Sequence, residues 1–117
     1  AFSRYVAASP SIWWYQGYVE RSLARFERQL QQHPADSRLL ITVGSAEQPA
    51  ADDPLDDPRR RHMAERRMVD NARDFAERLG AMPGMHVELR INPDANHGSN
   101  AHHSSVQALE WAAAAAE

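Results

Sequence analysis

Arg38-Leu39-Leu40-Ile41-Thr42-Val43, closed by Gly44, constrains the fold more than any other stretch of this chain. It is a continuous apolar run, rich in β-branched residues and too short for a helix. A strand of that kind has to be covered on both faces, the situation of a central strand in a parallel sheet. The flanking patterns agree. Tyr5-Val6-Ala7-Ala8 reads as a buried strand whose exit is marked by Ser9-Pro10, because proline removes a ladder donor. From Gly17 to about Gln32 the pattern is helical: Val19, Leu23, Phe26 and Leu30 recur at steps of four, three and four, and His33-Pro34 closes the helix. Ser45 to Pro58, with its Asp-Pro pairs, reads as a loop. Arg59 to about Leu79 reads as a second helix, striped by Met68/Val69, Ala72, Phe75/Ala76 and Leu79 and ended by Gly80. His86 to Ile91 alternates at period two, a strand with one wetter face near a sheet edge. Asn92 to Ser99 is a turn cluster, and an Ala-rich helix runs from about Ser104 to the end.

The order β-α-β-α-β-α predicts an α/β fold with a parallel sheet and right-handed crossovers. Residues 1–117 form one domain in this reading. Three strands make a thin sheet for a fold that buries both faces. The chain is therefore expected to be one end of a larger doubly wound domain, completed by more chain upstream or by a second copy.

Composition excludes several function classes. The net charge of −3 argues against a strongly basic nucleic-acid binder. No apolar run approaches the ~20 residues of a membrane helix, so neither nucleic acid nor membrane is expected as a partner. With no cysteine, thiolate catalysis, disulfides and Cys-zinc sites are ruled out. All 13 basic side chains are arginine, which removes Schiff-base chemistry and the lysine of a Walker-A loop. No cofactor is expected.

In a parallel α/β sheet the reactive groups gather at the carboxyl ends of the strands. Three such ends are predicted here, at Ser9–Trp14, Gly44–Gln48 and Asp94–Ser99. His97, in the third, is the candidate proton shuttle; the plainer alternative is a loop histidine that caps the last helix or is simply exposed. Glu47, in the second, is its natural carboxylate partner, with Asp52, Asp53 and Asp94 as competitors. Ser9 and Ser11 are expected to cap the segment bearing Trp13. Trp13 and Trp14 are candidates for an aromatic wall against substrate, although at least one of them is expected simply to pack under the loop. Arg59-Arg60-Arg61 with Arg66-Arg67 could attract an anionic substrate, but such a run is more often a solvated helix face answering the acidic Asp52–Asp57 segment. His97, His102 and His103 lack the spacing of a metal-binding motif, and no metal site is expected.

Four segments in order carry a resemblance. Ser9-Pro10-Ser11-Ile12-Trp13-Trp14, Leu40-Ile41-Thr42-Val43-Gly44-Ser45-Ala46-Glu47-Gln48, Met68-Val69-Asp70-Asn71-Ala72 and Asn96-His97-Gly98-Ser99 resemble the C-terminal part of an esterase family of α/β-hydrolases. That family includes enterochelin and salmochelin esterases, trilactone siderophore hydrolases and related acyl esterases. The resemblance implies a serine esterase acting on small-molecule carboxylic esters, with His97 as the catalytic base and Glu47 in the loop of the acid. It also exposes a departure, because the sequence contains no Gly-x-Ser-x-Gly nucleophile elbow. Ser9, Ser11, Ser45, Ser99, Ser104 and Ser105 are poor substitutes, and the elbow is expected upstream of Ala1. The chain then reads as the acid/base half of a hydrolase. The alternative is a non-catalytic binding or self-association module derived from that family.

Overall fold

A computed structural model describes residues 2–10, 16–33 and 36–116. Trp13, Trp14 and Ser11 lie outside the described residues. The elements are β1 (Phe2–Ala8), α1 (Gln16–Gln32), β2 (Asp36–Gly44), a single 3-10 turn (Ser45–Glu47), α2 (Pro58–Arg66), α3 (Met68–Gly80), β3 (Met85–Asn92) and α4 (His97–Ala116).

The three strands form a parallel sheet in the order β1-β2-β3. The strand with the continuous apolar run is central, as its pattern requires. Leu40, Ile41, Thr42 and Val43 have no measurable exposure. Both crossovers step in the same direction across the sheet, and a right-handed connection then puts their helices on one face. On that face Ile41 and Val43 pack with Met68 and Ala72 of α3, while Leu23 and Leu30 of α1 meet Leu79 and Met82. An ion pair from Arg78 to Glu20 ties α3 to α1 at the surface. α4 covers the opposite face, where Asn100 reaches Thr42.

Two boundaries differ from the sequence expectation. The helix expected over 59–79 is two helices, broken at Arg67, whose backbone is left-handed at φ 50°. The last helix starts at His97, seven residues before Ser104. His102 and His103 are exposed, as expected, but lie inside that helix rather than at its start.

Local chemistry explains the α2 boundaries. The Asp57 carboxylate accepts from the Arg60 N–H at 2.8 Å, and Pro58 takes the first helical position, where its missing donor costs nothing. Arg60 and Arg61 fold back onto the carbonyls of Pro54 and Leu55, and the Arg60 guanidinium lies 4.0 Å from the Asp57 carboxylate.

Candidate functional site

Because the strands are parallel and in register, their exits open along one edge of the sheet. Gly44 ends β2 where the chain leaving β3 crosses it. A Cβ on Gly44 would sit 2.0 Å from the Ala95 carbonyl oxygen, so only glycine admits this approach. The two exits are then stitched together. The Ala46 N–H donates to the Ala95 carbonyl at 2.9 Å, and the Asp94 N–H donates to the Ser45 hydroxyl at 2.8 Å. Asp94 takes a left-handed φ of 59°, a conformation that aspartate tolerates better than most residues.

That stitching sets Glu47 against the first residue of α4. His97 Nδ1 lies 2.7 Å from Glu47 Oε1. The two side chains differ sharply in environment: Glu47 is 3% exposed and His97 71%. The carboxylate is held from behind. Its Oε2 accepts from the Gly44 N–H and from the Ser9 hydroxyl, both at 2.7 Å. A buried carboxylate with three donors has the satisfaction that burial demands. A carboxylate oxygen offers only lone pairs, so the Nδ1 atom facing it carries the proton. In the neutral ring Nε2 is then the free acceptor. The pair can take a proton at Nε2 and stabilise the imidazolium that results.

The structure thus brings together the two residues singled out from the sequence, fifty positions apart in the chain. His97 does begin α4, but it does not cap it with its side chain; the Asn96 carboxamide accepts from the Ser99 N–H at 2.9 Å and does that work. Of the competing carboxylates none bonds to His97: the Asp53 side chain accepts from the Ala50 N–H, and Asp52 and Asp94 are exposed.

Ser9 departs from expectation. It caps no helix; it is buried, left-handed at φ 45°, and committed to Glu47. Its partners are distant in sequence, so no local motif could have announced the role. Asn100 was missed for the same reason: this fully buried amide donates to the Ser9 hydroxyl at 2.8 Å. The other candidate serines among the described residues have their own places in the fold. Ser45 accepts from Asp94, Ser99 from Asn96, Ser105 donates to the Ala101 carbonyl, and Ser104 is buried. Among the described residues no serine hydroxyl is bonded to His97.

A cleft of about 560 Å³ opens at His97, bounded by the strand exits and by Arg59, His62, Met63 and Met68. A wider cleft of about 1200 Å³ lies beyond Ala46, toward Asp70 and Arg73, and does not include His97. Among the described residues no group of three potential ligands is placed to hold a metal ion, and no helix is long and apolar enough to cross a membrane.

No protein-family model matches the chain. Individual proteins do. A siderophore triacetylfusarinine C esterase of Aspergillus fumigatus is 34% identical over 96 residues, covering 77% of this chain and 33% of that protein. The solved structure of siderophore hydrolase EstA from Aspergillus nidulans superposes with a TM-score of 0.65 at 29% identity, over 82% of this chain and 34% of that one. Siderophore hydrolase EstB from the same organism gives the same TM-score at 22% identity, over 82% and 35%, a likeness of fold. The chain spans about a third of the length of each relative. It is homologous to siderophore esterases over their C-terminal portion, and its fold is of the α/β-hydrolase type.

Proposed function

We propose that this chain is the acid/base half of a serine-type carboxylic-ester hydrolase acting on siderophore esters, the nucleophile coming from polypeptide outside these 117 residues. One observation carries the reading: an exposed imidazole whose Nδ1 meets a buried, three-donor carboxylate at 2.7 Å, at the edge of a parallel sheet where such chemistry gathers. Homology to siderophore esterases supports the substrate class.

In this mechanism Nε2 of His97 takes the proton of a serine hydroxyl as its oxygen attacks the ester carbonyl. The imidazolium gives that proton to the departing alkoxide. Water, activated by the same nitrogen, then releases the acyl group from the serine. Glu47 stays ionised, fixes the Nδ1–H tautomer and stabilises the imidazolium. Trp13 and Trp14 are assigned to the wall that holds the organic part of the substrate.

The test compares this chain with the protein extended by the polypeptide encoded immediately upstream of it. Both are treated with a fluorophosphonate probe and assayed on p-nitrophenyl butyrate and on triacetylfusarinine C. The chain alone should remain unlabelled and inactive. The extended protein should label and turn over, and its His97→Ala variant should lose about 10³-fold or more in kcat. A silent extended protein, or an upstream sequence without a Gly-x-Ser-x-Gly elbow, would favour the non-catalytic binding module. A concentration-dependent association of this chain in the silent case would point to self-association as its role.

A further inference from the structure

We infer that Ser9 and Asn100 are positioning residues: a directed chain of buried hydrogen bonds ends on Glu47 and sets which tautomer His97 adopts. The inference rests on the acid/base reading of the His97–Glu47 pair, and it goes one layer behind it.

Each link has a defined direction. The Asn100 Nδ2 atom can only donate, and it donates to the Ser9 hydroxyl at 2.8 Å and to Thr42 Oγ1 at 3.3 Å. Both of its hydrogens are used. Its Oδ1 accepts from Asn92 Nδ2 at 2.7 Å. Asn92 and Gln107 exchange a pair of amide bonds, at 3.2 and 2.7 Å. The Glu47 end sets the direction: a carboxylate only accepts, so the Ser9 proton points to Glu47 and the amides behind it take the matching orientation. The Ser9 oxygen therefore accepts from Asn100, and its single proton is left for Glu47 Oε2 at 2.7 Å.

The backbone holds Ser9 in place for this task. Its N–H donates to the Thr42 carbonyl at 2.7 Å, pinning the β1 exit to β2, and its φ of 45° is one that serine rarely adopts. The Gly44 N–H and the Ser9 hydroxyl together grip Oε2 from two sides. That grip fixes a carboxylate torsion that is otherwise broad and aims Oε1 at Nδ1. Asn100 and Thr42 have no measurable exposure. A cluster of apolar side chains would fill such a space without desolvating any amide. The polar chain is the costlier solution, and it runs from the partly buried Gln107 to the exposed His97.

The test reads the tautomer directly and needs no turnover. The full chain, labelled with ¹⁵N-histidine, is observed by long-range ¹H–¹⁵N correlation at alkaline pH. In the wild type His97 should be predominantly protonated at Nδ1. Ser9→Gly removes the hydroxyl while suiting the left-handed backbone. It should shift His97 toward the Nε2–H form that free imidazole side chains prefer, with the melting temperature changed by only a few degrees. Ser9→Ala removes the same hydroxyl and should show the same shift. Asn100→Asp, which takes away the donor that orients the hydroxyl, should shift it in the same direction. If His97 keeps its Nδ1–H signature in both Ser9 variants, the positioning role is overturned. It is also overturned if neither Ser9 variant folds, since Ser9 would then be structural. A wild type without Nδ1–H predominance would instead remove the His97–Glu47 pair itself. Absence of esterase activity bears only on the acyl-transfer reading and leaves this measurement untouched.

Discussion

Glu47 and His97 illustrate how differently two partners in one hydrogen bond contribute to stability. Deleting the exposed imidazole lets water replace it at Glu47 Oε1, so His97→Ala should change unfolding free energy by no more than about 1 kcal/mol. Deleting the carboxylate strands the Ser9 hydroxyl and the Gly44 N–H in a dry site. Glu47→Ala should therefore cost about 2–3 kcal/mol. Urea unfolding of the two variants checks the asymmetry, and a larger loss at His97 than at Glu47 would make the histidine a structural element. Gly44 carries a steric demand that no side chain can relax, because the obstruction at 2.0 Å is the backbone carbonyl of Ala95. Gly44→Ala should destabilise by about 3 kcal/mol, as overpacking against an immovable neighbour does; a loss under about 1 kcal/mol would mean that the two strand exits are not held together. Both candidate residues were legible in the sequence, since His97 and Glu47 fall at predicted strand exits. Ser9 and Asn100 were not. Their roles depend on partners 38 and 91 positions away, and separations of that size leave no periodic or motif signal.

At the scale of elements, β2 and α1 were readable because their burial is apolar and, in α1, periodic; β1, read as a buried strand, instead leaves Tyr5, Val6 and Ala8 exposed, because among the described residues nothing pairs with its outer edge. The start of α4 was not, for a physical reason: the side chains its first two turns bury are Asn100 and Ser104. A helix that turns polar residues inward has no hydrophobic stripe to read. The break at Arg67 was hidden because no glycine or proline marks it and the apolar pattern resumes at once with Met68. What the break requires is a cap from elsewhere. Arg67 gives α3 no side-chain cap; instead the Gln48 amide oxygen accepts from the Val69 and Asp70 N–H groups at 3.1 and 3.0 Å, while its nitrogen donates to the Asp70 carboxylate at 2.8 Å. Gln48→Ala should cost about 1 kcal/mol, the usual value of an N-cap, with faster hydrogen exchange at the Val69 and Asp70 amides; unchanged protection there would rule the cap out. At the break itself the left-handed backbone disfavours a Cβ by about 1–2 kcal/mol. Arg67→Gly should accordingly melt above Arg67→Val. The reverse order would mean that the half-exposed ion pairs of Arg67 with Asp70 and Asp74 dominate, contrary to what exposed pairs usually contribute.

The whole molecule is a slab 49 by 33 by 19 Å, with a radius of gyration of 15.5 Å, where a domain of this length closed on itself would have about 13 Å. The extension follows from the sheet. Among the described residues β1 pairs only with β2, so its outer edge offers a row of unpaired N–H and C=O groups. The strand at that edge also leaves apolar side chains open: Tyr5 is 58% exposed and Val6 43%. Beside it lies an apolar hollow of about 450 Å³ lined by Tyr5, Leu23, Phe26, Leu39 and Phe75. An open edge with exposed apolar side chains is a template for another strand. In isolation the chain should therefore associate through β1, with a sedimentation coefficient that rises between about 5 and 100 μM as mass action requires. Val6→Lys places at the edge the charge that natural sheets use to stop such pairing. It should reduce association while leaving the melting temperature of the dilute protein unchanged, because Val6 lies outside both buried apolar clusters. The same lysine in the extended protein should behave in the opposite way. That expectation holds if a strand of the extended protein covers the edge, where a buried cation would cost several kcal/mol. A monodisperse wild-type chain at 100 μM, together with a Val6→Lys extended protein as stable as its parent, would show that this edge meets no partner strand in either setting.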